Sequence, residues 1–228
     1  MDKASVIYED NHLLVVNKRS GILVQGDITG DRPLVDLCKD YIKEKYAKPG
    51  EVFLGLVHRI DRPVSGVVAF ARTSKALSRM NKLFKERETI KTYWAVVDEK
   101  PARESGTLLH WLVKDEKKNK TTVYSRETTG ALRSELSYKT LGSERNQYLL
   151  EVKPLTGRPH QIRVQLSSMG CSIVGDVKYG ATEPNSDASI CLHSKSLEFI
   201  HPVKKVLLKV SAPLPRRNEW KSFLKFDI

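Results

Sequence analysis

The sequence predicts an α+β fold, a single domain built on a long, mostly antiparallel mixed sheet flanked by helices and loops. Three observations predict it. Short runs rich in β-branched or aromatic residues recur along the chain, each bounded by polar or turn residues. Two amphipathic helical patterns interrupt them. No repeat and no Gly/Ser/Pro-rich linker divides the 228 residues, a length that suits one large domain or two small ones sharing a core.

The elements follow in order. Strands are expected at Leu13-Leu14-Val15-Val16, Val67 to Ala71, Tyr93 to Val97, Tyr148 to Val152 and Val206 to Val210. Leu34, Leu37, Cys38, Tyr41 and Ile42 recur at helical spacing before the breaker Lys48-Pro49-Gly50. A second helix starts at a Thr73-Ser74 cap and carries Leu77, Met80, Leu83 and Phe84 on one face. The stretch Asp115 to Lys120 has the charge of a hairpin loop between strands. A third helix is expected from a Thr156 cap, with Pro159 in its first turn and Gly170 as its stop. On it, Ile162, Leu166 and Met169 take the core side, while His160, Arg163 and Ser167 share another face. An Arg and a His projecting from the first turns suit the anchoring of an anion, either a phosphate or a carboxylate from elsewhere in the fold. A polar face turned to water fits the same spacing. Tyr93, just inside the polar entry of its strand, has two readings as well: a platform for a stacked base, or a core tyrosine.

His58-Arg59-Ile60-Asp61-Arg62-Pro63-Val64-Ser65-Gly66 lies between the apolar residues Leu54, Leu56 and Val57 and the run Val67 to Ala71. The chain leaves one buried segment, makes a polar turn shaped by Pro63 and Gly66, and re-enters the core. An Asp on a rigid turn at the edge of a core is a good place for a single nucleophile or base. A structural turn whose Asp is tied to Arg59 or Arg62 is the other reading.

Lys and Arg total 39 against 27 acidic residues, a formal charge of +12, with a pI near 9.6. The basic residues cluster at Lys82, Lys85 and Arg87, at Lys114, Lys117, Lys118 and Lys120, at Lys204 and Lys205, and at Arg216 and Arg217. Such an excess on a folded domain points to a polyanionic partner, nucleic acid first and an anionic membrane surface second. Met1-Asp2-Lys3-Ala4-Ser5 leads into Val6-Ile7-Tyr8 without the apolar core of a signal peptide. No apolar run approaches the roughly 20 residues of a membrane span. Cys38, Cys171 and Cys191 are odd in number and far apart, so neither a disulfide framework nor a zinc site is implied and a cytoplasmic location is expected. The six histidines lack metal spacing, so no metal is expected.

Taken in order, these segments resemble the RluA-type family of RNA pseudouridine synthases, over roughly residues 6–215. Asn17-Lys18-Arg19-Ser20-Gly21 through Gly26 resembles the family's first motif, with Arg19 where Pro is usual. His58 to Gly66 resembles H-R-L-D-x-x-T-S-G, with Ile60 for Leu and Val64 for Thr. Lys91 to Val97 resembles K-x-Y-x-A-x-V, and Leu155 to Arg163 resembles L-x-T-G-R-x-H-Q-I-R. Two residues further on, Gln165 replaces a frequent His. Leu192-His193, Leu197-Glu198-Phe199, His201-Pro202 and Ala212 to Pro215 resemble the C-terminal pattern.

The resemblance implies one catalytic domain over residues 1–228, with an active-site cleft on one face of the sheet. It makes Asp61 the catalytic aspartate. Arg59 would enter the RNA stack when the uridine flips out, and Tyr93 would pack on the flipped uracil. Arg163 would pair with Asp61, Ile162 and Leu192 would wall the pocket, and His58 would belong to the substrate-binding set. The reaction breaks the N1–C1′ bond of uridine, turns the uracil, and joins C5 to C1′. Nothing is lost and nothing is oxidised, so no cofactor is expected. The expected partner is a stem-loop of ribosomal or transfer RNA, with no obligate protein partner and a monomeric protein. The first motif begins by residue 17, so an N-terminal S4-type RNA-binding domain is not expected. A non-catalytic RNA-binding protein on the same fold, and an Asp-dependent hydrolase of a phosphorylated small molecule, are the other readings.

Overall fold

A computed structural model describes residues 5–227. Met1 to Ala4, on which the reading of the N-terminus partly rests, lie outside the described residues. In chain order the elements are β1 Val6–Glu9, β2 Leu13–Lys18, α1 Leu34–Lys45, β3 Gly55–Leu56, β4 Ser65–Ala71, α2 Ser74–Lys85, β5 Thr89–Val97 and β6 Ser105–Asp115. Then come β7 Lys120–Tyr124, β8 Leu132–Glu144, β9 Gln147–Pro154, α3 Gln161–Ser168, a 3-10 turn Val177–Tyr179, β10 Leu192–Ile200, β11 Leu207–Ser211 and α4 Asn218–Lys221. The class is α+β, as the sequence predicts. The chain gathers into two compact units, residues up to Ile90 with Ser194–Pro213, and Lys91–His193 with Leu214 onward.

In the first unit the strands run β1-β2-β4-β10, with β3 paired to β4 and β11 to β10. The β1–β2, β2–β4, β3–β4 and β10–β11 pairs are antiparallel. Alternate residues of these strands build one apolar cluster: Leu13 and Val15, Val67 and Ala69, Leu197 and Phe199, and Val210, joined by Met80 of α2. The period of two puts each set on a single face. β4 is buried along its whole length, which is why its sequence reads as a continuous apolar run rather than an alternation. Thr73 caps α2, its Oγ1 accepting from the Ala76 N–H at 3.1 Å. Gly55 is small for a reason, since a Cβ there would lie 2.7 Å from the Leu77 side chain.

In the second unit the order is β5-β9-β8-β6-β7, and these neighbours pair antiparallel. Asp115 and Lys120 face each other at the end of the β6–β7 hairpin, so the charged stretch between them is the turn the sequence predicts. The third helix departs from expectation. It begins at Gln161, with His160 at its N-cap in the left-handed region at φ 54°. Thr156 does not cap it; its hydroxyl accepts from the Glu135 N–H at 2.9 Å and donates to Gln161 Oε1 at 2.8 Å. The Gln161 carboxamide oxygen in turn accepts from the Arg158 N–H at 3.0 Å. The loop before the helix is therefore pinned by side chains, which Pro159 and a helix cap alone would not do. Gly170 does end the helix, at φ +81°.

Candidate active site

The candidate residues fall in both units. In the first, the segment joining β3 to β4 alternates: Arg59 is exposed, Ile60 is buried, Asp61 is half-buried and Arg62 is exposed. The Asp61 carbonyl accepts from the Val64 N–H at 3.1 Å, closing the turn. Val64 is 2% exposed, so its apolar side chain serves packing where the resembled family carries Thr. His58 holds the entry to the turn. Its Nε2 accepts from the Ala69 N–H at 3.0 Å, and its ring stacks on Phe84 at 5.1 Å between centroids.

The first and second motifs are stitched together at this turn. The Gly21 N–H donates to the Arg62 carbonyl at 2.8 Å, and Arg62 Nε donates to the Gly21 carbonyl at 2.9 Å. The Arg62 guanidinium also pairs with Asp31 at 2.7 Å, so this arginine is directed at the segment between β2 and α1. Beneath the turn lies Lys18, 1% exposed. Its ammonium donates to the carbonyls of Ile22 at 2.7 Å, Arg19 at 3.1 Å and Arg62 at 3.1 Å. Burial pushes its pKa down to about 7, the Asp61 carboxylate pulls it back up, and Arg62 adds to the fall. Lys18 is thus a buried cation in the field of Asp61. In the sequence Lys18 stands out only as part of a motif, because no letter pattern reveals that a lysine is buried.

Gly66, the second residue of β4, sits at φ +114°, and a Cβ there would stand 2.2 Å from the Ser194 carbonyl oxygen of β10. Its smallness is required by this close approach of two backbones in the first unit, more than by the turn before it.

In the second unit Tyr93 lies on β5 opposite Val152 of β9 and is half-buried. Ile162 and Leu192 are 7% and 3% exposed. Arg163, 6% exposed, makes a bidentate pair with Asp176, its Nε and Nη2 donating at 2.7 and 2.8 Å. The anion that the sequence reading seeks beside this arginine includes a carboxylate from elsewhere in the fold, and Asp176 is one. The Arg163 guanidinium also lies 5.0 Å from the centre of the Tyr179 ring. Tyr179 OH stands 2.7 Å from His160 Nδ1 and accepts from the Thr121 N–H at 2.8 Å. Asp176 and Tyr179 are absent from the sequence reading. The signal that could have found them is Gly175-Asp176-Val177-Lys178-Tyr179-Gly180, an Asp and a Tyr bracketed by glycines that both adopt positive φ.

Gln165, the other departure from the resembled pattern, is fully buried. Its Nε2 reaches the Leu108 carbonyl and His110 Nδ1, both at 3.1 Å. It binds α3 to β6, a structural use for that position. Among the described residues no group of three or more His, Cys, Asp or Glu could hold a metal ion. No helix among them is long and apolar enough to cross a membrane.

Residues 12–168 match the model of the family described as RNA pseudouridylate synthase. The ribosomal large subunit pseudouridine synthase C of Vibrio cholerae is 30% identical over 220 residues, covering 94% of this chain and 67% of that protein. The enzyme of the same name from Rickettsia felis is 34% identical over 181 residues, covering 78% of this chain and 56% of its own. Among solved structures, human RNA pseudouridylate synthase domain containing 4 superposes with a TM-score of 0.78 at 26% identity, covering 98% of this chain and 91% of that one.

Proposed function

From a chain that belongs to the RNA pseudouridylate synthase family, and is accordingly an isomerase of uridine in RNA, we propose a finer reading: Asp61 is the catalytic carboxylate, acting on a uridine flipped out of a structured RNA. The observation that carries it is the pinning of the Asp61 turn by Lys18, Gly21 and Arg62. A reacting carboxylate has to be held to within a fraction of an ångström, and a turn clamped from both motifs does this. The buried Lys18 ammonium lies in the field of the Asp61 carboxylate.

The other roles follow the family pattern. Arg59, exposed beside the turn, fills the gap the flipped base leaves in the stack. That offsets part of an unstacking cost of a few kcal/mol. Tyr93 lies against the uracil, with Ile162 and Leu192 as apolar walls. Arg163 supplies a fixed positive charge to the reaction, and His58 shapes the Asp61 turn. The names of the relatives support ribosomal RNA of the large subunit as the substrate, and that substrate supports a cytoplasmic location. No cofactor takes part, since the isomerisation needs no oxidant and no added group.

The decisive experiment is tritium release from RNA labelled at uridine C5. Asp61→Ala should lose activity by at least about a thousandfold while the protein folds and binds RNA as before. Full activity in that variant would sink the assignment. Mapping pseudouridines in a deletion strain against its parent then identifies the modified RNA.

A further inference from the structure

The motif Gly175 to Gly180 is the part of the second unit that the proposed reaction does not use directly, yet it surrounds Arg163. We propose that Tyr179 is a positioning residue that fixes Arg163 and ties the lysine-tipped β6–β7 hairpin to it. The inference rests on the reading of Arg163 given above.

Four contacts meet at this one buried ring. Tyr179 is 5% exposed and belongs to a small apolar cluster with Leu112 of β6 and Val164 of α3. Its hydroxyl accepts from the Thr121 N–H, so the proton it carries is available to His160 Nδ1. His160 is a non-glycine residue in the left-handed region at the start of α3. Such a conformation is strained for a residue that carries a side chain and persists where neighbours hold it. The Tyr179 hydroxyl is that hold, three residues before Arg163. The face of the same ring carries the Arg163 guanidinium, whose Nε and Nη2 are occupied by Asp176 at the other end of the same short turn. Arg163 therefore has its helix, its ring face and its carboxylate partner all set by residues 176–179.

The hairpin is tied in at the same point. Thr121 Oγ1 donates to the Pro159 carbonyl at 3.0 Å, Lys178 Nζ donates to the Asn119 carbonyl at 3.1 Å, and Lys120 Nζ lies 6.0 Å from the Tyr179 ring centre. Lys117 and Lys118 at the tip are exposed, where RNA phosphates would meet them. A load on the hairpin thus reaches Arg163 by several ties, of which the Tyr179 hydroxyl is the one that also touches His160.

The test reads Arg163 itself, by proton exchange at its Nε–H in protein labelled with nitrogen-15 arginine. Tyr179→Phe keeps the ring and removes the hydroxyl; exchange should quicken about tenfold, the share of one ordinary hydrogen bond. His160→Ala should do the same. His160→Asn, which tolerates the left-handed region and keeps an acceptor, should stay near the wild-type rate. Single-turnover pseudouridine formation at saturating RNA should fall about tenfold in the first two variants, with RNA affinity unchanged within about twofold. Wild-type exchange in Tyr179→Phe overturns the proposal, whether or not the wild-type protein isomerises uridine. Should Tyr179→Phe not fold, His160→Ala and His160→Asn carry the same comparison, and equal exchange in both overturns it. An inactive wild-type protein whose Arg163 exchange still responds overturns only the reading of function.

Discussion

A lysine with almost no surface is the residue on which the candidate site stands. Lys18 has three N–H bonds and three carbonyl partners, so the charged form is fully satisfied, and a neutral amine would turn a lone pair towards one of those oxygens. Removing the ammonium takes this donor from the Arg19 and Ile22 carbonyls, while the Arg62 carbonyl keeps the Gly21 N–H. Lys18→Met should therefore cost about 3 kcal/mol, read as a lower urea midpoint at unchanged slope. The Asp61 turn should loosen with it. At this scale the sequence singles out one acid and not what holds its turn. Asp61 was legible because its neighbours form a recognisable string. Lys18, Asp176 and Tyr179 matter through burial and through partners far away in the chain, and neither is written in their local context.

Among the elements, the turn from β1 to β2 shows how polar side chains fix a backbone. Asp10 Oδ1 accepts from the N–H groups of His12 and Leu13, both at 2.8 Å, while Oδ2 takes the Tyr8 hydroxyl at 2.9 Å and lies 2.8 Å from Lys204 Nζ. His201, fully buried, sits 3.0 Å from the same oxygen. Burial raises the Asp10 carboxyl, but Lys204, the two N–H groups and Tyr8 outweigh it and hold the group well below its ordinary 3.8. The unfolded chain thus binds this proton more readily, and the stability is present above about pH 4 and lost as the pH falls further. His201 is lowered from 6.5 chiefly by burial, against the pull of Asp10, so it too removes stability as the pH falls below that value. Asp10→Asn should cost about 1 kcal/mol at neutral pH, discounted for solvent. It should also flatten the acid limb of a stability–pH curve. The helices α1 and α2 and the strands β2, β4, β5, β9 and β11 were legible from period and caps. β8 was missed although Ser134, Leu136 and Tyr138 alternate inward, because the intervening Arg, Glu, Ser and Lys dilute the apolar signal. The start of α3 was misjudged because Thr156 satisfies Gln161 through its side chain, a bond no cap rule anticipates.

For the molecule as a whole, charge and chain path matter most. Not every basic residue of the +12 excess is available to a polyanion: Lys204 is engaged by Asp10 and Tyr8, and Arg217 by Asp187. The exposed Lys117 and Lys118 remain outward. Replacing both with Ala should weaken RNA binding across sequences and reduce the slope of log affinity against log salt by about 1.5 to 2, measured by a salt titration. A slope that does not change would place the RNA elsewhere. The first unit is discontinuous, closed by Ser194–Pro213 after the chain has travelled through the second. Gly66 waits for Ser194 across that interval. A ribosome making this protein therefore releases the Asp61 segment long before the strand that seals it. Until then the slot beside Gly66 is open backbone with no partner, an edge that invites pairing with another chain. Closure of the β4 edge beside the Asp61 segment is in this way a late event in the protein's own synthesis, timed by the arrival of β10.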